Sequence, residues 1–229
     1  MHNFLFGIYP YIALSVLVIG SIARYETDPF TWKTSSSQLL RRKQLILGSV
    51  LFHLGILVIF FGHFVGLMTP IQIFDALGIS HSAKQLLAMG AGGIAGALSL
   101  VGGLLLLHRR LFDSRIRKTS SFADIGILAI IVLQLILGIG TIFVSAQHLD
   151  GHEMTKFMTW TQKIVTFRAG AAEEIADVAL IFKLHMFLGL TIFVLFPFTR
   201  LVHMLSAPIR YVLRPGYQIV RSRRRHPAE

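Results

Sequence analysis

The chain has 229 residues, 54% of them hydrophobic and only 14% charged, with a mean hydropathy of +0.66. Soluble domains have about 45–50% apolar and about 25% charged residues, so this composition describes an integral membrane protein. There is no cysteine, which excludes disulfides, thiolate sites and cysteine-held clusters within the chain.

Five apolar stretches, at 4–23, 45–68, 85–107, 124–146 and 179–206, reach the length of about 20 residues that a helix needs to cross a bilayer. They predict an all-α bundle of five transmembrane helices. The first is not a signal peptide: no Lys or Arg precedes it, and its apolar run is too long for an h-region. The connection at 24–44 carries Arg24, Lys33, Arg41, Arg42 and Lys43. The second span contains LFHLGILVIFFGHFVGL, residues 51–67, with His53 and His63 inside it. The third begins beside Lys84 and runs into a second basic connection, with Arg109, Arg110, Arg115, Arg117 and Lys118.

The fourth span opens into the longest connection, about 147–178, which holds His148, Asp150, His152, Glu153, Trp160, Glu173, Glu174 and Asp177. Within it KFMTWTQKIVTF, 156–167, has the pattern of a short amphipathic helix lying at an interface. The fifth span carries His185 and His203. A basic tail follows at 209–229, so the chain divides into a transmembrane domain, 1–208, and a tail.

Most of the 22 basic residues lie in alternate connections and the tail. The positive-inside rule then places the N-terminus outside and the C-terminus in the cytoplasm. The net charge of +11 is read as a topology signal with lipid-headgroup contact, not as a nucleic-acid surface, because it is spread over three segments.

Ionisable residues inside a membrane are rare and are usually functional. Helix two runs outward and helix five inward, so placing them side by side pairs His53 with His203 on the inner side and His63 with His185 on the outer side. Two such pairs suit bis-histidine haem ligation, one imidazole on each face of an iron. A di-metal site, a proton relay and interhelical hydrogen bonding are the other uses of the same residues. On helix five the 18-residue separation is about five turns, putting both histidines on one face; on helix two the 10-residue separation leaves them about 80° apart. Bending near Pro197 is one way to reconcile the two spacings. Gly55, Gly62, Gly66 and Gly189 leave room for a flat macrocycle or for close helix contact. His148 and His152, beside Glu153, have zinc-like spacing but no evident third ligand, and solvated loop polarity is the better reading.

Several longer motifs resemble one family. They are YPYIA at 9–13, TWKTSSSQLLRRK at 31–43, LFHLGIL at 51–57, GHFVGLMTP at 62–70, GGLLLLHRRLF at 102–112, SAQHLDGHEM at 145–154 and LFPFTRLVHMLSAPIRY at 195–211. Their order and coverage resemble the gamma subunit, a cytochrome b, of membrane-bound respiratory nitrate reductase. The resemblance implies five helices and two b haems. By that resemblance His53 and His203 hold the inner haem iron, and His63 and His185 the outer. It also implies quinol oxidation near the outer haem, with Gly62 and Lys84 at the quinol site. Lys84 is otherwise read as a snorkelling helix-end lysine.

Arg109, Arg110 and Arg200 are candidates for the haem propionates, with membrane anchoring as the other role. The implied partners are a cytoplasmic iron–sulfur beta subunit and a molybdenum-containing alpha catalytic subunit, in a prokaryotic cytoplasmic membrane. A haem b anchor of another reductase, and a non-haem membrane protein with proton-relay histidines, are the alternatives.

Overall fold

The computed structural model describes residues 1–32 and 40–206; the proposed tail at 209–229 lies outside them. The described residues form helices joined by turns and irregular connections, with no strand among them. Among the described residues nine α-helices occur in this order: α1 (Tyr9–Thr27), α2 (Arg42–Met68), α3 (Ile71–Ala76), α4 (His81–Phe112), α5 (Ser114–Thr119), α6 (Phe122–Ser145), α7 (His152–Val165), α8 (Ala171–Glu174) and α9 (Leu180–Leu195). Among the described residues five helical segments are long and apolar enough to cross a membrane: Phe4–Thr27, Arg42–Met68, His81–Phe112, Phe122–Ser145 and Leu180–Phe198. Leu54, Phe61, Leu87 and Ile94 are exposed, as side chains that face hydrocarbon should be.

Short polar signals fix the helix starts. The Ser80 hydroxyl accepts from the Ala83 amide at the start of α4, and the Ser121 hydroxyl accepts from Asp124 at the start of α6. Asp113 accepts from the Arg115 and Ile116 amides to cap α5, and its second oxygen pairs with Arg41 at 2.8 Å. These contacts satisfy N–H groups that a helix leaves without an internal partner. Helix α2 stops at Thr69, which precedes Pro70 and adopts extended backbone.

The fifth span differs from the sequence expectation. Regular α-helix ends at Leu195, and two 3-10 segments, Phe196–Phe198 and Arg200–Ser206, continue the chain. Pro197 is the physical cause, because it has no N–H to donate and its ring clashes with the preceding turn. The five-turn estimate between His185 and His203 therefore does not apply. Arg24 of α1 closes the break by donating to the Pro197 carbonyl at 2.7 Å and the Thr199 carbonyl at 2.8 Å.

Helix α2 packs on α4, α4 on α6, α6 on α9, and α9 on α1. Helices α2 and α9 are not among the closely packed pairs, which corrects the expectation that they lie side by side. The α2–α4 seam is built on glycine. A Cβ at Gly55 would lie 2.3 Å from the Ser99 hydroxyl, and one at Gly102 would lie 2.4 Å from the Phe52 backbone nitrogen. Gly55 thus serves helix contact rather than a macrocycle. Gly62 and Gly66 face open space, with nothing within 4 Å.

The expected amphipathic helix is α7, displaced toward the N-terminus to His152–Val165. It buries Met158, Trp160 and Ile164. Trp160 and Ile164 join Phe6, Ala13, Ile175, Phe182 and Leu190 in one apolar core. The Trp160 indole donates to the Phe6 carbonyl at 2.9 Å. The loop helices are thereby clasped to the first and last spans.

Candidate functional site

The four histidines come together as two pairs. The His53 and His203 rings lie 6.2 Å apart between centroids, and His63 and His185 also lie 6.2 Å apart. An imidazole–metal bond is about 2 Å, and a five-membered ring with edges of about 1.33 Å has a radius of about 1.1 Å. Two imidazoles on opposite faces of one metal therefore have centroids about 6.2 Å apart. Neither pair is in the direct contact that a hydrogen bond between rings would require, and the spacing fits a bis-imidazole iron.

Three of the rings are oriented by a backbone carbonyl. His53 Nδ1 meets the Ser49 carbonyl at 2.8 Å, His63 Nδ1 the Ile59 carbonyl at 2.9 Å, and His203 Nδ1 the Arg200 carbonyl at 2.5 Å. A carbonyl only accepts, so each Nδ1 carries its hydrogen and each Nε2 keeps its lone pair. This is the tautomer a metal-binding histidine needs. The Ser49 hydroxyl also lies 3.2 Å from His53 Nδ1. His185 differs, because its Nδ1 is buried without a hydrogen-bond partner. Its ring lies against Gly138, where a Cβ would come within 2.9 Å of Cε1.

Among the described residues no three His, Cys, Asp or Glu side chains gather as a conventional metal site. His148 precedes α7 and His152 opens it, so the two do not form the single-helix pair that the zinc spacing required. A cavity of about 440 Å³, lined in part by His81, Asp150, His152 and Met158, touches none of the four paired histidines.

Lys84 is only 7% exposed, which removes the snorkelling reading. Its Nζ donates to the Gly66 carbonyl at 3.0 Å, meets the Met158 sulfur at 2.7 Å, and sits 3.8 Å above the Phe74 ring. It thus joins the end of α2 that carries His63 to α3 and α7. Gly62 shares that end, on an open stretch of helix.

The three arginines separate. Arg109 is buried and donates to the Leu40 carbonyl at 2.7 Å. Arg110 donates to the Ser120 hydroxyl at 3.0 Å. The Arg200 Nε lies 4.0 Å from Asp124, and its carbonyl holds His203. Arg200 therefore borders the His53/His203 pair, whereas Arg109 is tied to the connection before α2.

Gln134 went unnoticed in the sequence. Its side-chain amide donates to the His185 carbonyl at 3.0 Å and lies 3.4 Å from the His185 Nε2. Its signal was visible as the lone amide side chain in the apolar run of α6, a polar group that a membrane helix must satisfy. Met158 carried no comparable signal, because a methionine in an amphipathic helix reads as core.

Comparison with known proteins places this architecture. A family profile described as nitrate reductase gamma subunit matches residues 2–223. The chain is 51% identical to respiratory nitrate reductase 1 gamma chain of Escherichia coli (strain K12), over 97% of its own length and 98% of that protein's. It is 52% identical to respiratory nitrate reductase 2 gamma chain of the same organism, over 98% of each chain. It is 41% identical to nitrate reductase gamma chain of Bacillus subtilis (strain 168), over 96% of its own length and 97% of that chain. With paired histidines in a five-span helical bundle and likeness along nearly its whole length, the chain belongs to the nitrate reductase gamma subunit family.

Proposed function

We propose that this chain is the di-haem b subunit of a quinol:nitrate oxidoreductase, with its N-terminus outside and its C-terminus in the cytoplasm. The observation that carries the reading is the two histidine pairs, each with 6.2 Å between ring centroids. His53 and His203 would hold the inner haem, and His63 and His185 the outer. When bound, the two haems supply one-electron transfer across the membrane.

The chain's own residues orient that chemistry. Carbonyls of Ser49, Ile59 and Arg200 fix three imidazoles with Nε2 free to bind metal. Arg110, which donates to Ser120, and Arg200, whose carbonyl holds His203, suit a propionate-binding edge at the inner pair. Arg109 is a weaker candidate, because its guanidinium is engaged at Leu40. Quinol would dock beside the open face at Gly62. Lys84, held next to Gly66 and Met158, would stabilise negative charge on a quinol oxygen as its protons leave to the outside. Electrons would continue to a cytoplasmic iron–sulfur beta subunit and a molybdenum-containing alpha subunit, since this chain has no cysteine for clusters.

The test is haem quantification per chain with a reduced-minus-oxidised spectrum, on the wild type and on His53→Ala and His63→Ala. The expected result is two b haems in the wild type, with each variant losing its own site. A colourless wild-type protein, folded and expressed with haem available, would overturn the reading. So would full bis-histidine haem content in both variants.

A further inference from the structure

We infer that the cavity of about 440 Å³ beside Lys84 carries quinol protons to the outer side, with His81 as the group that hands them to water. This rests on the quinol reading above. On that reading each quinol becomes a quinone by giving up two electrons and two protons. The electrons leave toward His63. The protons need a polar route outward, because hydrocarbon offers them no partner.

The cavity begins where Lys84 is held. Met158, whose sulfur meets the Lys84 Nζ, is also part of the cavity wall. His81 lies on the same wall, three residues before Lys84 and so on the same side of α4. Helix α3 serves both residues: the Phe74 ring packs on Lys84, and the neighbouring Asp75 carboxylate accepts from His81 Nε2 at 3.1 Å. Lys84 is buried, whereas the His81 and Asp75 side chains are 43% and 53% exposed. One turn of α4 thus leads from the protein interior to water.

Gly151 completes the wall. Its φ is +80°, and a Cβ there would lie 2.6 Å from the His81 Cβ. Glycine lets the connection before α7 seat on the start of α4, which sets Asp150 and His152 on the cavity with His81. Thr155 and Thr159 add hydroxyls to the lining. A polar cavity of this size holds a chain of several waters at ~30 Å³ each.

The His81–Asp75 pair suits proton hand-off. The carboxylate keeps the hydrogen of the neutral ring on Nε2, so Nδ1 has the lone pair, and it stabilises the imidazolium once a second proton arrives. A proton passes from the quinol oxygen through cavity water to the ring. The imidazolium then gives a proton to water outside, which restores His81 for the next transfer.

The experiment is stopped-flow reduction of the haems by duroquinol, in H2O and in D2O, on the intact complex carrying His81→Gln, Asp75→Asn or His81→Gln with His152→Gln. His81→Gln should keep both haems and their wild-type reduction by dithionite. Its duroquinol step should slow about tenfold, less than the roughly 10²–10⁴-fold effect of a base that touches substrate, because cavity water still conducts. The solvent isotope effect should grow, and added imidazole should restore the rate. Asp75→Asn should act in the same direction by a smaller factor, and it decides the matter by the same measures if His81→Gln loses haem. Wild-type duroquinol rates in both His81→Gln and the double variant overturn the inference. So does a slowing that imidazole does not relieve or D2O does not enlarge. A wild type without haem, or one that duroquinol does not reduce, would instead refute the underlying functional reading.

Discussion

Gly102→Ala tests whether the α2–α4 seam sets the histidine spacing. The new Cβ would stand 2.4 Å from the Phe52 nitrogen and 2.7 Å from the Gly48 carbonyl oxygen, where ordinary contact begins at 3.4 Å. Both obstacles are backbone, so no side chain can swing aside, and α2 must move off α4 by about 1 Å. Overpacking of this kind costs about 1–3 kcal/mol. For a chain of this size that is a fall of about 2–12 °C in melting temperature.

Helix α2 carries both His53 and His63. Metal–ligand distances tolerate only about 0.2 Å of error, so the displacement is several times what coordination allows. Gly90→Ala is the control, on α4 like Gly102 but with nothing within 4 Å of the new Cβ. The assay is haem per chain and thermal unfolding in detergent. Gly102→Ala should lose haem and stability together, while Gly90→Ala keeps both. Wild-type haem content in Gly102→Ala would refute the claim that this seam fixes the pairs.

Two further outcomes follow from local chemistry. Pro197→Ala should let α9 continue as regular helix, turning His203 away from His53 while His185 keeps its place; redox titration should show selective loss of the His53/His203 haem. The clasp between α7 and the segment before α9 should depend on pH through Lys156. Its hydrogen bond to Asp177, with a further contribution from Glu153, raises the Lys156 pKa, and the same bond to Lys156 lowers that of Asp177. The carboxylate's contribution is present above its unfolded pKa and is lost as pH falls through the lowered value. The amine's contribution is present below its unfolded pKa and is lost as pH rises through the raised value. Amide protection around 175–178, measured relative to the intrinsic exchange rate at each pH, should therefore be greatest near neutrality, with the acid and alkaline limbs removed in Lys156→Gln.

The span pattern was legible because hydrocarbon imposes one rule: long apolar helices with charge at their ends. The pairing of His53 with His203 and His63 with His185 was legible for a related reason, since alternating basic connections fix helix direction, and direction fixes depth. The route to that pairing was less accurate than the result. Pro197 was visible, but the carbonyls that its 3-10 segments release are taken up by Arg24, which in the sequence is indistinguishable from a topology charge. Gly55 and Gly62 look alike as letters. Only the packing shows one pressed against Ser99 and the other open. Lys84 likewise looked like a helix-end anchor until its partners on α2 and α7 were in place.

The paired histidines sit on α2 in the second span and, at the other end of the chain, on α9 and the 3-10 segment Arg200–Ser206 that follows it; α2 and α9 do not pack closely on each other. A chain emerging from the ribosome can insert four spans and still hold only half of each histidine pair. On the proposed di-haem reading, cofactor loading is then a late event in biogenesis, dependent on arrival of the last segment, and a truncation before residue 180 would leave an inserted membrane protein with neither pair complete.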